Sequence, residues 1–242
     1  MRGDRTETVI ACALIPRFAL LATLGERRAL LSKPLALAPE PGGPQVVGEV
    51  SGPAEAFGIG AGMRLGEALA RCPELGLVTP DPERAESAWE AALRRLEGIG
   101  ARVEPACPGE AFFAAGGLVG LYGSLERVLG RGRDAVGPGA RMGGGSSRLC
   151  AYAAALRTRR RRAPTIVPAA MTRSFLAPLP VGLLGDRLSD GLSLSGGAAD
   201  AARTGFADLP EKLRRLGLES LGQLAALPDA AVADRFGETG LR

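Results

Sequence analysis

The stretch RVEPACPGEAFFA, at residues 102–114, has the pattern of two short β-strands separated by a tight turn. The strands fit residues 102–106 and 110–114, and Cys107-Pro108-Gly109 supplies the turn, because proline and glycine favour chain reversal. These two strands place a β-sheet in the fold, and the flanking segments decide what covers it.

Segments with strand and helix patterns alternate in mixed order on both sides of this stretch. Residues 82–99 form the most regular helix, because Ala85, Trp89 and Leu93 recur at four-residue spacing. The other predicted strands are residues 8–15, 35–38, 45–50, 75–78 and 165–167. The other predicted helices are residues 18–25, 63–72, 118–129 and a segment from Ser146-Ser147 to about 158, which follows a glycine-rich loop at 137–145. This order predicts an α+β fold, a mixed β-sheet covered by helices.

Beyond Pro168 the chain is leucine-rich and carries only helical patterns. Residues 209–227, LPEKLRRLGLESLGQLAAL, predict a helix, a short turn at Gly217 and a second helix. The backbone N–H groups of such a hairpin can hold a DNA phosphate without contacting the bases. The same pattern fits a plain pair of helices packed on their neighbours, and the sequence does not choose between the two.

Composition excludes several classes of protein. The 242 residues are 46% hydrophobic and 23% charged, which is a globular profile. No apolar run approaches the roughly 20 residues of a membrane helix, and the polar N-terminal segment shows no signal-peptide pattern. The four cysteines lie far apart and histidine is absent, which argues against a zinc site and against an imidazole base. We therefore expect a cytoplasmic protein with reduced thiols, no metal and no membrane contact.

The positive charge is concentrated in one segment. The net charge is +4, but residues 127–162 contain ten arginines and one acid, Asp134, against 20 basic and 25 acidic residues elsewhere. Such a patch is typical of phosphate binding and predicts DNA as a partner. Since 28 of the 30 basic residues are arginine, a solvated arginine-rich surface is the alternative. The glycine-rich stretch at 143–148 fits either a phosphate cradle or a flexible loop. The candidate phosphate-binding residues are Arg148, Arg157, Arg159, Arg160, Arg161, Arg162 and Gly217.

Four segments, in order, resemble one family, the Y-family (UmuC-type) translesion DNA polymerases. They are FGIGAGMRLGEALARCPEL at 57–75, VEPACPGEAFF at 103–113, GGGSSRLCAYAAA at 143–155, and FLAPLPVGLL at 175–184. The resemblance implies a polymerase-like right hand: a palm at residues 1–168 with small fingers inserted at about 17–75, and an all-helical helix–hairpin–helix thumb at 169–242. It also implies that the little-finger domain of the family is missing.

The resemblance shows where this chain departs from an active polymerase. In the family, two Mg²⁺ ions held by carboxylates bind the triphosphate and activate the primer 3′-hydroxyl. Here Ala13 and Ile15 stand at the two acidic positions of the first strand, and the second acidic pair is Gly109-Glu110. Glu110 is the remaining candidate ligand, and one carboxylate cannot hold two Mg²⁺ ions. The alternative for Glu110 is a surface carboxylate at a strand turn with no role.

The nucleotide-binding positions differ as well. A tyrosine and an arginine that contact the triphosphate in the family correspond to Gly52 and Glu55, and an acidic Glu55 would repel a triphosphate. Phe18 matches the bulky steric-gate residue that excludes a ribose 2′-hydroxyl, and a core aromatic on a short helix is the alternative. Arg160 falls near the phosphate-contacting lysine of the family.

Two segments, LIPRFA at 14–19 and PGEAFFAAGGLVGLYG at 108–123, resemble the ImuB-like branch, whose members keep the polymerase shape and lack the acids. This implies a non-catalytic adaptor in DNA damage tolerance, translesion synthesis and induced mutagenesis, with no cofactor. Its implied partners are DNA, the sliding clamp and an error-prone C-family replicative polymerase. Two alternatives stay open: a low-activity, template-directed DNA polymerase that uses Mg²⁺, and a protein-interaction module without DNA contact.

Overall fold

A computed structural model describes residues 9–137, 139–159, 163–184, 209–228 and 230 of the chain. The strands are β1 (Ile10–Leu14), β2 (Leu35–Leu37), β3 (Gly76–Val78), β4 (Val103–Cys107), β5 (Glu110–Ala114), β6 (Arg141–Gly145) and β7 (Thr165–Ile166). The α-helices are α1 (Phe18–Leu24), α2 (Gly52–Ala56), α3 (Leu65–Arg71), α4 (Pro82–Glu97), α5 (Val119–Tyr122), α6 (Leu125–Val136), α7 (Arg148–Arg157), α8 (Thr172–Leu176), α9 (Leu209–Arg215) and α10 (Leu221–Leu224). Short 3₁₀ helices lie at Arg28–Ser32, Gly116–Leu118 and Ala169–Met171.

Strands from distant parts of the chain form a five-stranded sheet in the order β4-β5-β1-β6-β7. β4 and β5 are antiparallel, with Val103 opposite Phe113 and a register shift between Pro105 and Cys107. β6 and β7 are parallel, and β2 and β3 form a separate parallel pair. The predicted α+β class, a mixed sheet combined with helices, is confirmed.

The chain divides into two compact units. The first unit contains Ala13–Phe113 and Gly130–Arg141, and the second contains Met1–Cys12, Ala114–Leu129 and Met142–Arg242. The boundaries of palm, fingers and thumb that the resemblance implies stay a prediction.

In the first unit, the predicted helix at 82–99 is α4. The helix begins at Pro82 because the Asp81 side chain accepts a hydrogen bond from the N–H of Arg84 at 3.0 Å, and proline is well suited to the first helical position. The rings of Phe18 and Trp89 meet edge to face with centroids 5.4 Å apart, which joins α1 to α4.

In the second unit, β6 replaces part of the glycine-rich loop predicted at 137–145. Residues 142–145 are buried, and α7 lies directly on them. A Cβ atom on Gly143 would lie 2.2 Å from the backbone nitrogen of Ala155 and 2.3 Å from the carbonyl oxygen of Ala151. Close approach of α7 therefore requires glycine at this position. Glycine has a low strand propensity, so the sequence alone does not predict a strand here.

Two other segments differ from prediction. Residues 45–50 make two isolated bridges, from Val46 to Arg64 and from Val50 to Ala36, and do not form the continuous strand predicted there. The helix predicted at 118–129 is divided at Gly123, whose φ of 87° ends α5 before α6 begins.

The four cysteines are free thiols, of which Cys12, Cys72 and Cys150 are buried. Within the described ranges, no helix has the length and apolar character of a membrane span.

Candidate functional site

The residues that the resemblance assigns to the acidic positions of the family lie around one turn in the first unit. The N–H of Ile15, just after β1, donates to the carbonyl oxygen of Gly109 at 2.7 Å. Ala13 is buried in β1, with 3% of its surface exposed. The structure thus brings the predicted positions Ala13, Ile15 and Gly109 together, and none of these three residues has a side-chain oxygen.

The backbone at Gly109 leaves no room for a side chain. Its φ is 91°, a conformation that favours glycine. A Cβ atom there would lie 2.5 Å from Cβ of Phe18 and 3.0 Å from the carbonyl oxygen of Ile15. An aspartate at this position would therefore strain the backbone and displace Phe18.

Glu110 follows as the first residue of β5, with 2% of its surface exposed. The interpretation of Glu110 as a surface carboxylate is therefore wrong, because Glu110 is buried at the start of β5, where it pairs with Cys107 of β4. Among the described residues, no three His, Cys, Asp or Glu side chains are grouped so that they could hold a metal ion. The residues at this turn do not fit a pair of Mg²⁺ ions, which need several oxygen ligands.

Phe18, the first residue of α1, is 6% exposed. Its ring contacts Trp89, and its Cβ occupies the space over Gly109. These contacts favour the core-aromatic interpretation over the steric gate.

The N-terminus of α1 is held by a carboxylate that the sequence pattern does not reveal. Glu49 accepts a hydrogen bond from the N–H of Leu20 at 2.8 Å, across 29 positions of sequence. Burial raises the pKa of Glu49, while backbone N–H groups of α1 and the Arg17 guanidinium oppose that shift. Arg17 precedes α1 with a left-handed φ of 57° and provides no side-chain cap. The one signal in the sequence for this contact is that Glu49 is a charged residue within the predicted strand at 45–50.

Glu55, which we expect to repel a triphosphate, is paired within the chain. Its carboxylate lies 2.5 Å from a terminal nitrogen of Arg17, with 32% of the arginine and 53% of the glutamate side chain exposed. The Nε atom of Arg17 is buried and has no hydrogen-bond partner among the described residues. Gly52 starts α2 near the same guanidinium. A triphosphate at this position would compete with an existing ion pair.

The predicted basic residues lie in the second unit, around α7. Arg148 begins the helix, Arg157 ends it, and both are exposed, as is Arg159. Three further predicted residues, Arg160, Arg161 and Arg162, lie outside the described residues.

Thr158 anchors the chain between these arginines and is 4% exposed. Its hydroxyl oxygen lies 3.0 Å from the carbonyl oxygen of Met142 and 2.9 Å from that of Ala154. It also accepts a hydrogen bond from the N–H of Thr165 at 3.2 Å. The residues that flank positions 159–164 are therefore bonded to each other.

The geometry does not favour a phosphate cradle at 143–148. The glycines belong to β6, beneath α7. Ser147 caps α7 as predicted, accepting from the N–H of Cys150 at 3.2 Å. The Ser146 hydroxyl lies 2.8 Å from the hydroxyl of Thr172, so both serines are engaged.

The helical hairpin predicted at 209–227 is present as α9, a turn at Gly217 with φ of 77°, and α10. The N–H groups of Gly217 and Leu218 donate to carbonyl oxygens of α9 at 2.9 and 3.0 Å. The side chain of Gln223 accepts from the next two N–H groups at 2.7 and 3.0 Å. A phosphate held by these groups would displace those bonds, so the geometry favours the plain helical hairpin.

Known proteins resemble this chain over most of its length. DNA polymerase IV of Dehalococcoides mccartyi (strain CBDB1) is 28% identical over 216 residues, which cover 87% of this chain and 50% of that protein. The chain thus spans about half the length of this relative.

Solved structures show the same fold. The crystal structure of DinB from Sulfolobus solfataricus superimposes with a TM-score of 0.71 at 16% identity, covering 96% of this chain and 64% of that one. A Dbh ternary complex superimposes with a TM-score of 0.69 at 15% identity, covering 96% and 64%.

The model of the impB/mucB/samB family matches residues 15–162, which is more than half of the chain. The matched range contains the turn at Gly109 and the whole of α7. The chain therefore belongs to the impB/mucB/samB family, the UmuC-type group of Y-family DNA polymerases.

Proposed function

We propose that this chain is a non-catalytic, polymerase-like adaptor of the ImuB-like branch that binds DNA during damage tolerance. The observation that carries the proposal is the turn at Gly109, where φ is 91° and a Cβ atom would lie 2.5 Å from Phe18. The other acidic positions of the family hold Ala13 and Ile15. The turn lacks the acids, and at Gly109 it also lacks the space for one.

The metal requirement of polymerases supports the proposal. Two Mg²⁺ ions clamp the attacking and leaving oxygens in nucleotide transfer, and each prefers near-octahedral oxygen ligands. Glu110 is a single carboxylate, buried at the start of β5. We therefore propose no metal-dependent step and no cofactor for this chain.

The charges near α1 support the same conclusion. Glu49 holds the first turn of α1, and Glu55 is paired with Arg17. A triphosphate brought to this place would have to compete with Glu49 and Glu55 for the one guanidinium of Arg17, and binding would leave those carboxylates close to its own negative charges.

The arginines around α7 support DNA contact. The first and last residues of α7 are Arg148 and Arg157, and Arg159 follows the helix. The buried Thr158 fixes the chain between Arg157 and Arg159. Guanidinium groups bind phosphates without reading base sequence, and such contacts displace counterions from DNA. We expect DNA affinity that is independent of sequence and falls steeply with salt.

A polymerase-shaped protein without catalytic acids requires another protein for synthesis. We propose the sliding clamp and an error-prone C-family replicative polymerase as those partners. DNA synthesis is an activity of relatives such as DNA polymerase IV, of which this chain spans half.

DNA binding is tested by fluorescence anisotropy of a labelled primer–template, titrated with the protein at several salt concentrations. We expect a Kd on the order of 1 µM at low salt, with a steep salt dependence. Replacement of the arginines at 157 and 159–162 by alanine should flatten that dependence. Absence of binding at low salt would overturn DNA contact by this chain and favour the alternative of a protein-interaction module without DNA contact.

Catalysis is tested by primer extension with Mg²⁺ or Mn²⁺, with an active Y-family polymerase as positive control. We expect no templated nucleotide addition. Incorporation that the variant Glu110→Ala abolishes would overturn the proposal and establish the low-activity polymerase. Incorporation that Glu110→Ala leaves unchanged would not depend on the one remaining candidate ligand. It would overturn the proposal only if it stayed constant per mole of protein through further purification, because a contaminating polymerase would be removed.

A further inference from the structure

We infer that a groove in the first unit docks a segment of a partner protein that combines an apolar side chain with flanking positive charge. The groove has a volume of about 390 Å³ and lies between α1, the loop after β2 and the first turn of α4. Its lining residues belong neither to the turn at Gly109 nor to the arginines around α7. The inference is therefore independent of the proposed function.

The walls of the groove are apolar and conformationally fixed. Leu37 and Val47 line it and are buried, with 6% and 1% exposed. Four prolines also line it, and each restricts φ to about −65°: Pro39, Pro44, Pro80 and Pro82. A groove built from such residues exists before binding, so little conformational entropy is lost when it is filled.

The charge of the groove is negative. Two carboxylates, Glu40 and Asp81, are among the described residues that line it, and no lysine or arginine is, although the chain has 30 basic residues. Asp81 is fixed in place because its Oδ1 atom accepts from the N–H of Arg84 at 3.0 Å. Phosphate groups would be repelled here, whereas a lysine or arginine beside an apolar anchor would be attracted. This charge is opposite to that of the α7 arginines.

The shape of the groove favours a protein segment over a free small molecule. Small-molecule sites usually enclose most of the ligand surface, whereas the lining of this groove includes the exposed residues Glu40, Asp81 and Pro82. Main-chain pairing with β2 is excluded, because β2 already pairs with β3 and the N–H of Leu37 donates to the carbonyl oxygen of Glu49 at 2.9 Å. Recognition therefore rests on one apolar side chain in the groove and on basic neighbours at Glu40 and Asp81.

A peptide titration tests this directly. The 242-residue chain is titrated into the fluorescein-labelled peptide GSRRWRRGSG at low salt, and anisotropy is recorded. Two matched peptides isolate the two requirements: GSEEWEEGSG reverses the charge, and GSRRSRRGSG removes the apolar anchor. We expect saturable binding of the first peptide and binding at least about tenfold weaker for each of the others.

Variants then locate the binding. Ala85→Phe places a ring in the groove from α4 and should weaken binding about tenfold or more, since the anchor and the ring compete for one space. Ser87→Phe, at an exposed position on the same helix, should leave binding unchanged. Glu40→Lys, on an exposed loop, should weaken binding about threefold at low salt and less at high salt. This surface variant keeps the test decisive if Ala85→Phe does not fold.

Three results would overturn the inference. The first is no saturable binding of GSRRWRRGSG. The second is binding without the predicted specificity, seen either as equal binding of the basic and acidic peptides or as unchanged peptide binding in both variants, Ala85→Phe and Glu40→Lys. The third is tighter binding of free indole than of the arginine-flanked peptide, which would assign the groove to a small apolar molecule.

Discussion

The turn at Gly109 and the packing of α7 on β6 both depend on glycine, but the close contact that glycine permits has a different result in each. At Gly109 the missing side chain lets Phe18 approach, and the Cβ atom of Phe18 occupies the space that a side chain at position 109 would need. At Gly143 the missing side chain lets a helix backbone approach a strand, and the arginines of that helix remain at the surface. The contact at Gly109 excludes a side chain from the turn, whereas the contact at Gly143 leaves the arginines of α7 exposed to solvent.

Under the proposed function, this difference would separate catalysis from DNA contact within one family fold. The turn at Gly109 lies in the first unit, and the described arginines around α7 lie in the second. Each unit has its own close-packed glycine, so the two contacts can be changed one at a time by substitution.

The largest expected effect is at Gly143. The variant Gly143→Val places a side chain where even a Cβ atom would lie 2.2 Å from the backbone of α7. We expect a loss of at least about 3 kcal/mol in the free energy of unfolding, measured by urea denaturation. Gly120→Ala is the matched control, because nothing lies within 4 Å of a Cβ atom there, and it should change stability by less than about 0.5 kcal/mol. Equal midpoints for the two variants would refute the close helix–strand approach.

The next effect is at Gly109. Gly109→Asp combines an unfavourable φ with contact against Phe18, and we expect a loss of about 2–4 kcal/mol. Gly60→Asp, at an open position of the same unit, should be close to neutral in the same urea titration. The double variant Ala13→Asp, Gly109→Asp should show no nucleotide addition in primer extension, although it restores two acids. Metal-dependent addition by that variant would show that the turn can still accommodate a metal site.

A smaller effect is expected at the surface arginines. Arg157→Ala and Arg159→Ala should each lower the slope of log affinity against log salt by about 1, because each removes one phosphate contact. Arg95→Ala, an exposed arginine of α4, is the matched control and should leave the slope unchanged. The readout is primer–template anisotropy across a salt series. A uniform loss of slope in all three variants would indicate a diffuse charge effect instead of contacts around α7.

The smallest effect is the pH dependence that Glu49 contributes. Burial raises the pKa of Glu49 in the folded state above its ordinary value of 4.5, so the folded protein binds this proton more readily than the unfolded chain does. The free energy of unfolding therefore falls as pH rises from the unfolded pKa through the raised folded pKa. Glu49→Gln removes the charge and keeps an oxygen acceptor for the N–H of Leu20. The free energy of unfolding of Glu49→Gln, relative to that of the wild type, should increase across that pH window and then level off. Urea denaturation at several pH values measures this difference, and a difference that does not vary with pH would contradict the prediction.

Elements with local signals could be predicted from sequence. The Cys107-Pro108-Gly109 turn, the apolar spacing of α4, the cap at Ser147 and the turn at Gly217 each depend on residues close in the chain. The assignment of the acidic positions of the family also rests on short motifs, and it stays a prediction.

What could not be predicted depends on contacts across the fold. The glycine run of β6 has low strand propensity, and only the position of α7 explains it. The burial of Glu110 depends on its sheet neighbours, and the hydrogen bond from Leu20 to Glu49 joins residues 29 positions apart. The occupied N–H groups at Gly217 depend on the Gln223 side chain and on the geometry of the turn. Such features follow from tertiary structure, which a linear pattern does not specify.

The hydrogen bonds between Thr158 and Thr165 have a consequence for how the edge strand of the sheet is held. β7 is two residues long, and its register partners in β6 are Gly143 and Gly144, which have no side chains to pack against it. The Thr158 hydroxyl lies 3.0 Å from the carbonyl oxygen of Met142 in β6 and also contacts Thr165 in β7. One buried hydroxyl at the end of α7 thus joins two strands whose own side chains give them little lateral contact.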